Sequence, residues 1–368
     1  MFIRKDDKIS TSQAAIYLNN SILGAGILAF PRFGVQSVGT PDVWMSLLLS
    51  GMIAMMSVLI MVKLSQQFPG RTVFQYAKKI AGSPIGAVIG FIMVMYFMLI
   101  AGYELRVFAE VTLFYLLEGT PVWAIVIPFI WVATYLVHGG INSIARLYQI
   151  IIPASILILI LSFGLSVRLF DINHLRPVLS EGVMPVLSGL KSMMLLFAGC
   201  EMTMVLVAHM DDPKQAAKAM VYGTSLPLIL YLITIIVVIG GMSADSVMRS
   251  TWPTLDLLRS FETAGLLLER FEFPFIVIWM MQLFCNFCSF YYGASLGITQ
   301  LFGAKLRPVI LGITPLLYII ALMPKRINDL FGMGTFIGFT GVGLFLVLPI
   351  LLSAVYIIRR KGLKQNVQ

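Results

Sequence analysis

Charge is what this chain most lacks. Asp, Glu, Lys and Arg make up 12% of its 368 residues, against 59% hydrophobic residues and a mean hydropathy of +0.92. That balance excludes an ordinary water-soluble domain of this size. Cysteine and histidine are scarce too, with three of each. Cys200, Cys285 and Cys288 all fall inside apolar runs. Cys285-x-x-Cys288 has neither a second pair nor a nearby histidine, so helical neighbours are expected rather than a metal or redox site. His138, His174 and His209 show no metal spacing. There is no G-x-x-x-x-G-K-[ST], no H-E-x-x-H, and no dinucleotide G-x-G-x-x-G followed by its acid. An ATP-driven pump and familiar hydrolases are therefore without support, no cofactor is expected, and binding or transport is favoured over enzyme activity. No polar segment is long enough for a separate soluble domain, so residues 1–368 read as a single transmembrane domain.

Apolar runs long enough to cross roughly 30 Å of hydrocarbon are abundant, and about ten of them can be counted. They lie near residues 12–38, 43–64, 84–117, 121–138, 144–169, 185–209, 220–241, 273–303, 308–323 and 331–358. The run after Met1-Phe2-Ile3-Arg4-Lys5 is too long for a signal peptide and is read as retained. The net charge of +9 and pI of 9.5 point to a membrane rather than to nucleic acid, because of where the cations lie. With the N-terminus inside, Arg4, Lys5, Lys63, Arg71, Lys78, Lys79, Lys305, Arg307, Arg359, Arg360, Lys361, Lys364 and others face the cytoplasm. They are about twice as many as the outer set that includes Arg168, Arg176, Arg249, Arg270 and Lys325, which predicts both termini inside and an even number of spans. Two connections, Gln66 to Ala81 and Ser243 to Glu272, mix apolar and charged residues at helical spacing and are expected to lie as amphipathic helices in the interface.

Two runs are interrupted at mid-span by small residues: Ser21-Ile22-Leu23-Gly24-Ala25-Gly26-Ile27 and Phe197-Ala198-Gly199-Cys200-Glu201. Unwound backbone at membrane depth is tolerated only where it is buried in protein or lines a cavity, and paired breaks in two halves point to a transporter-type site. Splitting the chain after the fifth run gives repeat one over about 10–169 and repeat two over about 185–358. The expected fold is thus an all-α polytopic membrane protein, with ten transmembrane helices in a 5+5 inverted repeat and broken first and sixth helices. Close helix packing through small residues is the alternative explanation of the breaks.

Ser10 and Thr11 can cap the first helix, which places Gly24, Ala25 and Gly26 near the midplane. Amides freed there begin a second half-helix whose positive end suits a carboxylate. Pro31-Arg32 follows on the outer side. Glu201 carries charge that is costly at depth; it could meet a ligand's amino group, hold a proton, or satisfy freed amides at its own break. In the third run, Arg106 and Glu110 stand i, i+4 and are expected to pair, and with Glu104 and Arg32 they are assigned gating or structural roles outward of the midplane. Tyr96 and Ile100 are better placed to wall a pocket. The eighth run carries Asn286, Ser289 and Gly293 at mid-span, polar enough to face a cavity or another helix. Asn19, Asn20 and Ser289 could offer oxygens to Na⁺, but no carboxylate is clearly placed with them, which weighs against a metal site. A tryptophan at Gly24 or Gly199 is expected to block the pocket and leave the fold intact.

The opening Ile9-Ser10-Thr11-Ser12-Gln13-Ala14, followed by Asn20 through Gly26 and Ile27-Leu28-Ala29-Phe30-Pro31-Arg32, resembles the first helix of spore germinant receptor B subunits. Phe68-Pro69-Gly70-Arg71-Thr72, Arg146-Leu147-Tyr148-Gln149-Ile150, Arg176-Pro177-Val178-Leu179, Asp212-Pro213-Lys214 and Trp252-Pro253-Thr254-Leu255 extend the likeness over nearly the whole chain. That family is similar to the amino acid, polyamine and organocation transporters. The resemblance implies an A subunit and a lipoprotein C subunit as partners in the spore inner membrane. It also implies a small nutrient germinant, often an L-amino acid, held against Gly24, Ala25, Gly26 and Phe197 to Glu201. The competing reading is an active secondary amino acid permease, proton-coupled through Glu201 or Glu104; a purely structural assembly subunit would leave the breaks unexplained.

Overall fold

The computed structural model describes residues 7–260 and 272–365, with no side chain described at Glu272 or beyond Arg359. Arg4, Lys5, Arg270 and the side chains of Arg360, Lys361 and Lys364, which carry part of the expected charge asymmetry, lie outside the described residues. The first half comprises α1 (Thr11–Ile22), α2 (Gly26–Val38), α3 (Val43–Ser65), α4 (Val73–Ala81), α5 (Ser83–Tyr115), α6 (Val122–His138) and α7 (Gly140–Ser166). The second comprises α8 (Met184–Met194), α9 (Thr203–Leu206), α10 (Ala216–Met242), α11 (Ala244–Arg249), α12 (Pro253–Arg259), α13 (Glu272–Phe302), α14 (Leu306–Leu322), α15 (Ile327–Val342) and α16 (Leu348–Gln365). The described residues contain no strand, only an isolated bridge between Ile9 and Met210.

Among the described residues six helical stretches are long and apolar enough to cross a bilayer, and this is an integral membrane protein. Two more spans are bent pairs: α1 and α2 turn by 53° at Leu23 to Ala25, and Met184–Phe197 and Cys200–His209 turn by 48°. Both bends fall on the breaks expected from the sequence. The count of ten rests on α6 and α14, each of 17 residues. Such helices are about 25 Å long at roughly 1.5 Å per residue, at the lower limit for a crossing.

Each break has a local cause. Ser10 starts α1 with a capping box: Gln13 N–H donates to its hydroxyl at 3.3 Å, and Ser10 N–H donates to Gln13 Oε1 at 3.0 Å. The helix then stops at Leu23, whose ψ of 90° is not helical. In the second broken span Ala198 is extended (φ −55°, ψ 128°) and Gly199 is left-handed at φ 115°, a conformation that glycine reaches without strain. The two breaks are packed on each other, since a Cβ on Gly199 would meet the Ser21 carbonyl.

The amphipathic helices differ from expectation. Val73, Phe74, Tyr76, Ala77 and Ile80 of α4 are fully buried, and so nearly are Pro253, Leu255, Leu257 and Leu258 of α12. Both helices turn their apolar faces onto the bundle rather than into lipid, because aromatic partners such as Phe68 on Tyr76 and Trp252 on Phe331 are already in place. Residues 261–271 of the second connection lie outside the described residues.

Candidate functional site

A cavity of about 360 Å³ begins at the α1–α2 break and runs along α2 to Gln36 and Ser37. Its walls are Ser21, Gly24, Ala25, Gly26, Phe30 and Phe33 from the first broken span, Ile100, Tyr103 and Glu104 from α5, and Leu195, Leu196 and Ala198 before the second break. Tyr231 of α10, Asn286 and Phe290 of α13, and Phe331, Gly334, Thr335 and Gly338 of α15 complete it. Among these wall residues Glu104 is the one with an acidic side chain, and no Lys, Arg or His stands with it.

The polar groups freed by the first break are met by side chains from other helices. Glu104 accepts from Ala25 N–H with both carboxylate oxygens, at 3.2 and 3.1 Å. Tyr231 O–H donates to Ile22 O at 2.8 Å. Asn286 Nδ2 donates to Asn20 O at 2.9 Å and Ser21 O at 3.1 Å, and Gln282 Nε2 donates to Leu23 O at 2.9 Å and to Asn20 Oδ1. A buried polar group left unmet costs about 1–3 kcal/mol, so these partners hold the unwound segment in one geometry. Asn286 Oδ1 and Gln282 Oε1 are left buried without a protein partner.

The second break is closed differently. Glu201, fully buried, folds back so that Gly199 N–H donates to both its oxygens, at 3.0 and 2.9 Å. Of the roles open to this carboxylate, it fills the one of satisfying freed amides at its own break. Its neighbour is Tyr96, whose buried hydroxyl faces Glu201 without a hydrogen bond of normal geometry.

The expected residues therefore divide. Ser21, Gly24, Ala25, Gly26, Ile100 and Ala198 are on the cavity wall. Ile27, Tyr96, Phe197, Gly199, Cys200, Glu201 and Ser289 are buried behind it and support it. Ser289 pairs with the Tyr148 hydroxyl at 2.7 Å and Asn20 Oδ1 accepts from Gln282, whereas Asn19 Oδ1, the third oxygen considered for Na⁺, is buried without a hydrogen-bond partner among the described residues. Arg106 and Glu110 pair as expected, at 2.6 Å, away from the cavity wall. Arg32 is half-buried past Pro31 with an unpartnered Nε. Glu104 requires a correction: grouped with the charges outward of the midplane, it is 6% exposed and sits on the break itself. On α5 it lies one turn from Ile100, and that spacing to a residue already placed on the wall was the available signal. Tyr231, Gln282 and the α15 wall were missed, because single tyrosine, glutamine and glycine residues in apolar helices carry no pattern.

At the far end of α1 the chain is stitched across the bundle. Ile9 N–H donates to His209 O at 2.8 Å, Asp211 N–H donates to Ile9 O at 2.9 Å, and Asn142 Nδ2 donates to Lys8 O at 2.8 Å.

Comparison with solved structures finds the same fold in transporters. The chain aligns with MhsT in complex with L-phenylalanine at a TM-score of 0.70 and 15% identity, covering 96% of this chain and 90% of that one. It aligns with Mhp1, a nucleobase-cation-symport-1 family transporter, at a TM-score of 0.71 and 13% identity, covering 96% and 79%. In sequence it is 43% identical to spore germination protein YndE of Bacillus subtilis (strain 168) over 97% of this chain and 98% of the relative. It is 36% identical to spore germination protein A2 of the same organism, over 96% and 97%. More distant is GerLB of Bacillus cereus, at 24% identity over 97% and 96%. The family model described as spore germination protein matches residues 8–330, and the chain belongs to that family.

Proposed function

We propose that this chain is the membrane subunit of a germinant receptor in the spore inner membrane, with both termini on the inner side. It binds a small amine-bearing nutrient, an L-amino acid, in the cavity at the first break. Occupancy signals through an A subunit and a lipoprotein C subunit. The observation that carries this reading is the lone acidic Glu104 on a cavity wall without cations, set against the start of α2. A cationic ammonium is the group that such a wall attracts, and the amides at the start of α2 suit the ligand's carboxylate. Glu104 already holds Ala25 N–H, so a zwitterion binds by exchange: its carboxylate replaces Glu104 on the amide and its ammonium takes the released carboxylate. Binding then favours one arrangement of the broken helices over another, which needs only unequal affinity for the two.

The experiment is thermal stabilisation of the purified chain by a panel of L-amino acids, each beside its 2-hydroxy acid counterpart. The amino acids are expected to stabilise and the hydroxy acids to do nothing; equal effects of both would refute the ammonium reading. The likeness to transporters favours a second reading, an active amino acid permease coupled to protons through Glu104 or Glu201. Proteoliposomes decide between them: accumulation of the stabilising amino acid establishes the permease, and binding without flux establishes the sensor.

A further inference from the structure

A second hollow, of about 540 Å³, lies between α6 and α14 at the end of α6 that the charge asymmetry assigns to the cytoplasm. It is lined by Trp131, Thr134, Tyr135, His138, Ser143 and Arg307 among others, and no acidic side chain is among its lining residues. Trp131 and Tyr135, one helical turn apart, project outward with 71% and 86% of their surface exposed. Tyr135 lies within one turn of the His138 end, where aromatic rings meet the headgroup region, and Trp131 lies one turn deeper, near the middle of α6, where it meets acyl chains. Arg307 is exposed and makes no hydrogen bond or ion pair among the described residues. One turn further into the membrane, Leu311 presents 56% of its surface on the same helix.

The floor of the hollow is braced by hydrogen bonds. Tyr291 O–H donates to Ile310 O at 2.8 Å, and the Thr134 hydroxyl stands 3.3 Å from that of Tyr291, so α6 and α14 are joined beneath it. His138 Nδ1 lies 3.2 Å from Thr134 O, which leaves Nε2 for another partner. The hollow thus grades from a cation at its rim, through the amphipathic ring of Tyr135, to the deeper Trp131 ring and aliphatic surface.

We propose that this hollow seats an anionic phospholipid of the inner leaflet. The Arg307 guanidinium holds the headgroup phosphate by charge-assisted hydrogen bonds, Tyr135 flanks the glycerol region, and an acyl chain lies along Leu311 and the Trp131 ring. An unpaired guanidinium with no acid beside it selects a lipid of net negative charge, because a zwitterionic headgroup brings its own cation near Arg307 with no carboxylate there to offset the repulsion. The aromatic rings select a lipid over a free phosphate.

The test is native mass spectrometry of the full-length chain in detergent, titrated with phosphatidylglycerol or phosphatidylcholine of identical acyl chains and, separately, with glycerol 3-phosphate. Phosphatidylglycerol is expected to bind more tightly than phosphatidylcholine, Arg307→Gln to weaken it by roughly ten-fold, and Arg307→Lys to retain part of the preference. The control is Arg71→Gln. Arg71 lines another cationic hollow, with Lys78, Gln75 and Gln300, that has no exposed aromatic ring, and its loss is expected to leave lipid binding unchanged. Equal binding of the two lipids, equal weakening by Arg71→Gln, or glycerol 3-phosphate binding as tightly as the lipid would each overturn the proposal, the last by making this a soluble-anion site.

Discussion

Gly24→Ala separates ligand recognition from folding. A methyl group on Gly24 would meet Glu104 Oε1 and stand 3.0 Å from Glu104 Cδ and from Asn286 Nδ2. These are the far ends of side chains, not backbone, and Gly24 is not in a left-handed conformation, so the break keeps its path, and the stability cost is that of the displaced carboxylate's bond to Ala25 N–H, about 1.5–3 kcal/mol. The change falls on the carboxylate, which must leave Ala25 N–H and its contacts at 3.2 and 3.1 Å. Loss of that bond alone would free the amide for the ligand; what weakens binding is loss of the contact between the carboxylate and the ligand ammonium, about 1.5–3 kcal/mol, so a carboxylate pushed out of reach raises the response midpoint roughly ten- to a hundred-fold. The assay is the dose–response of spores carrying the variant, with subunit abundance measured on the same spores. A midpoint within two-fold of wild type, at about wild-type abundance, would refute both the position of Glu104 and its role in reading the ligand.

Gly199→Ala should behave in the opposite way, because its Cβ would meet the backbone of Ser21 and Ile22 and the residue sits at φ 115°. Strain of roughly 1–3 kcal/mol is expected to lower the melting temperature and the abundance of the protein, and an unchanged melting temperature would show that the breaks are not tightly apposed. Tryptophan there would be worse, so the bulky blocking substitution is suited to Gly24 alone. Tyr231→Phe removes the donor to Ile22 O and should cost about 1–3 kcal/mol of stability while weakening the response; a variant equal to wild type in both measurements would mean that water replaces the hydroxyl. A double-mutant cycle on Arg106 and Glu110 should return a coupling of about 1 kcal/mol in thermal unfolding with no shift in ligand midpoint. A shifted midpoint would bring the pair back into the gate.

Much of the architecture was legible because a bilayer imposes a simple code. Runs of apolar residues mark the spans, and small residues at mid-run mark where a helix can stop, as Gly24 and Gly199 do. Ser10 was legible as a cap, while Gln13, which completes the capping box, was not singled out. What pattern could not supply was facing. Glu104 and Arg106 are two residues apart on α5 and so point to different sides, one onto the break and the other to Glu110. Their shared scarcity of charge made them look like one group. The amphipathic α4 has the periodicity of an interfacial helix, but periodicity specifies an apolar face and not whether lipid or protein covers it. Ser289 and Glu201 were expected on the ligand site, and pattern alone does not show that the Tyr148 hydroxyl from another helix and the amide of Gly199 two residues away already occupy them.

The two breaks are unequal, and their inequality bears on mechanism. The second is satisfied from within its own segment, by a carboxylate two residues from the amide that it accepts. That contact depends on no other helix, so it supports the cavity wall from behind. The first is satisfied from three other helices: α5 through Glu104, α10 through Tyr231 and α13 through Gln282 and Asn286. A ligand that takes any one of those places alters how α1 and α2 are tied to a distant part of the bundle. Two discrete arrangements linked by exchange of partners are what a population shift requires, and only differential contacts with the ligand can drive it. At the Thr11 end the stitches from Ile9 to His209 and Asp211 tie the chain before the first broken helix to the end of the second. A change in bend at Leu23 to Ala25 therefore reaches the opposite face through α1 only by straining or breaking those hydrogen bonds. In a receptor the stitches would convert a local exchange at Glu104 into a movement that neighbouring subunits can feel; in a permease they would have to open on every cycle.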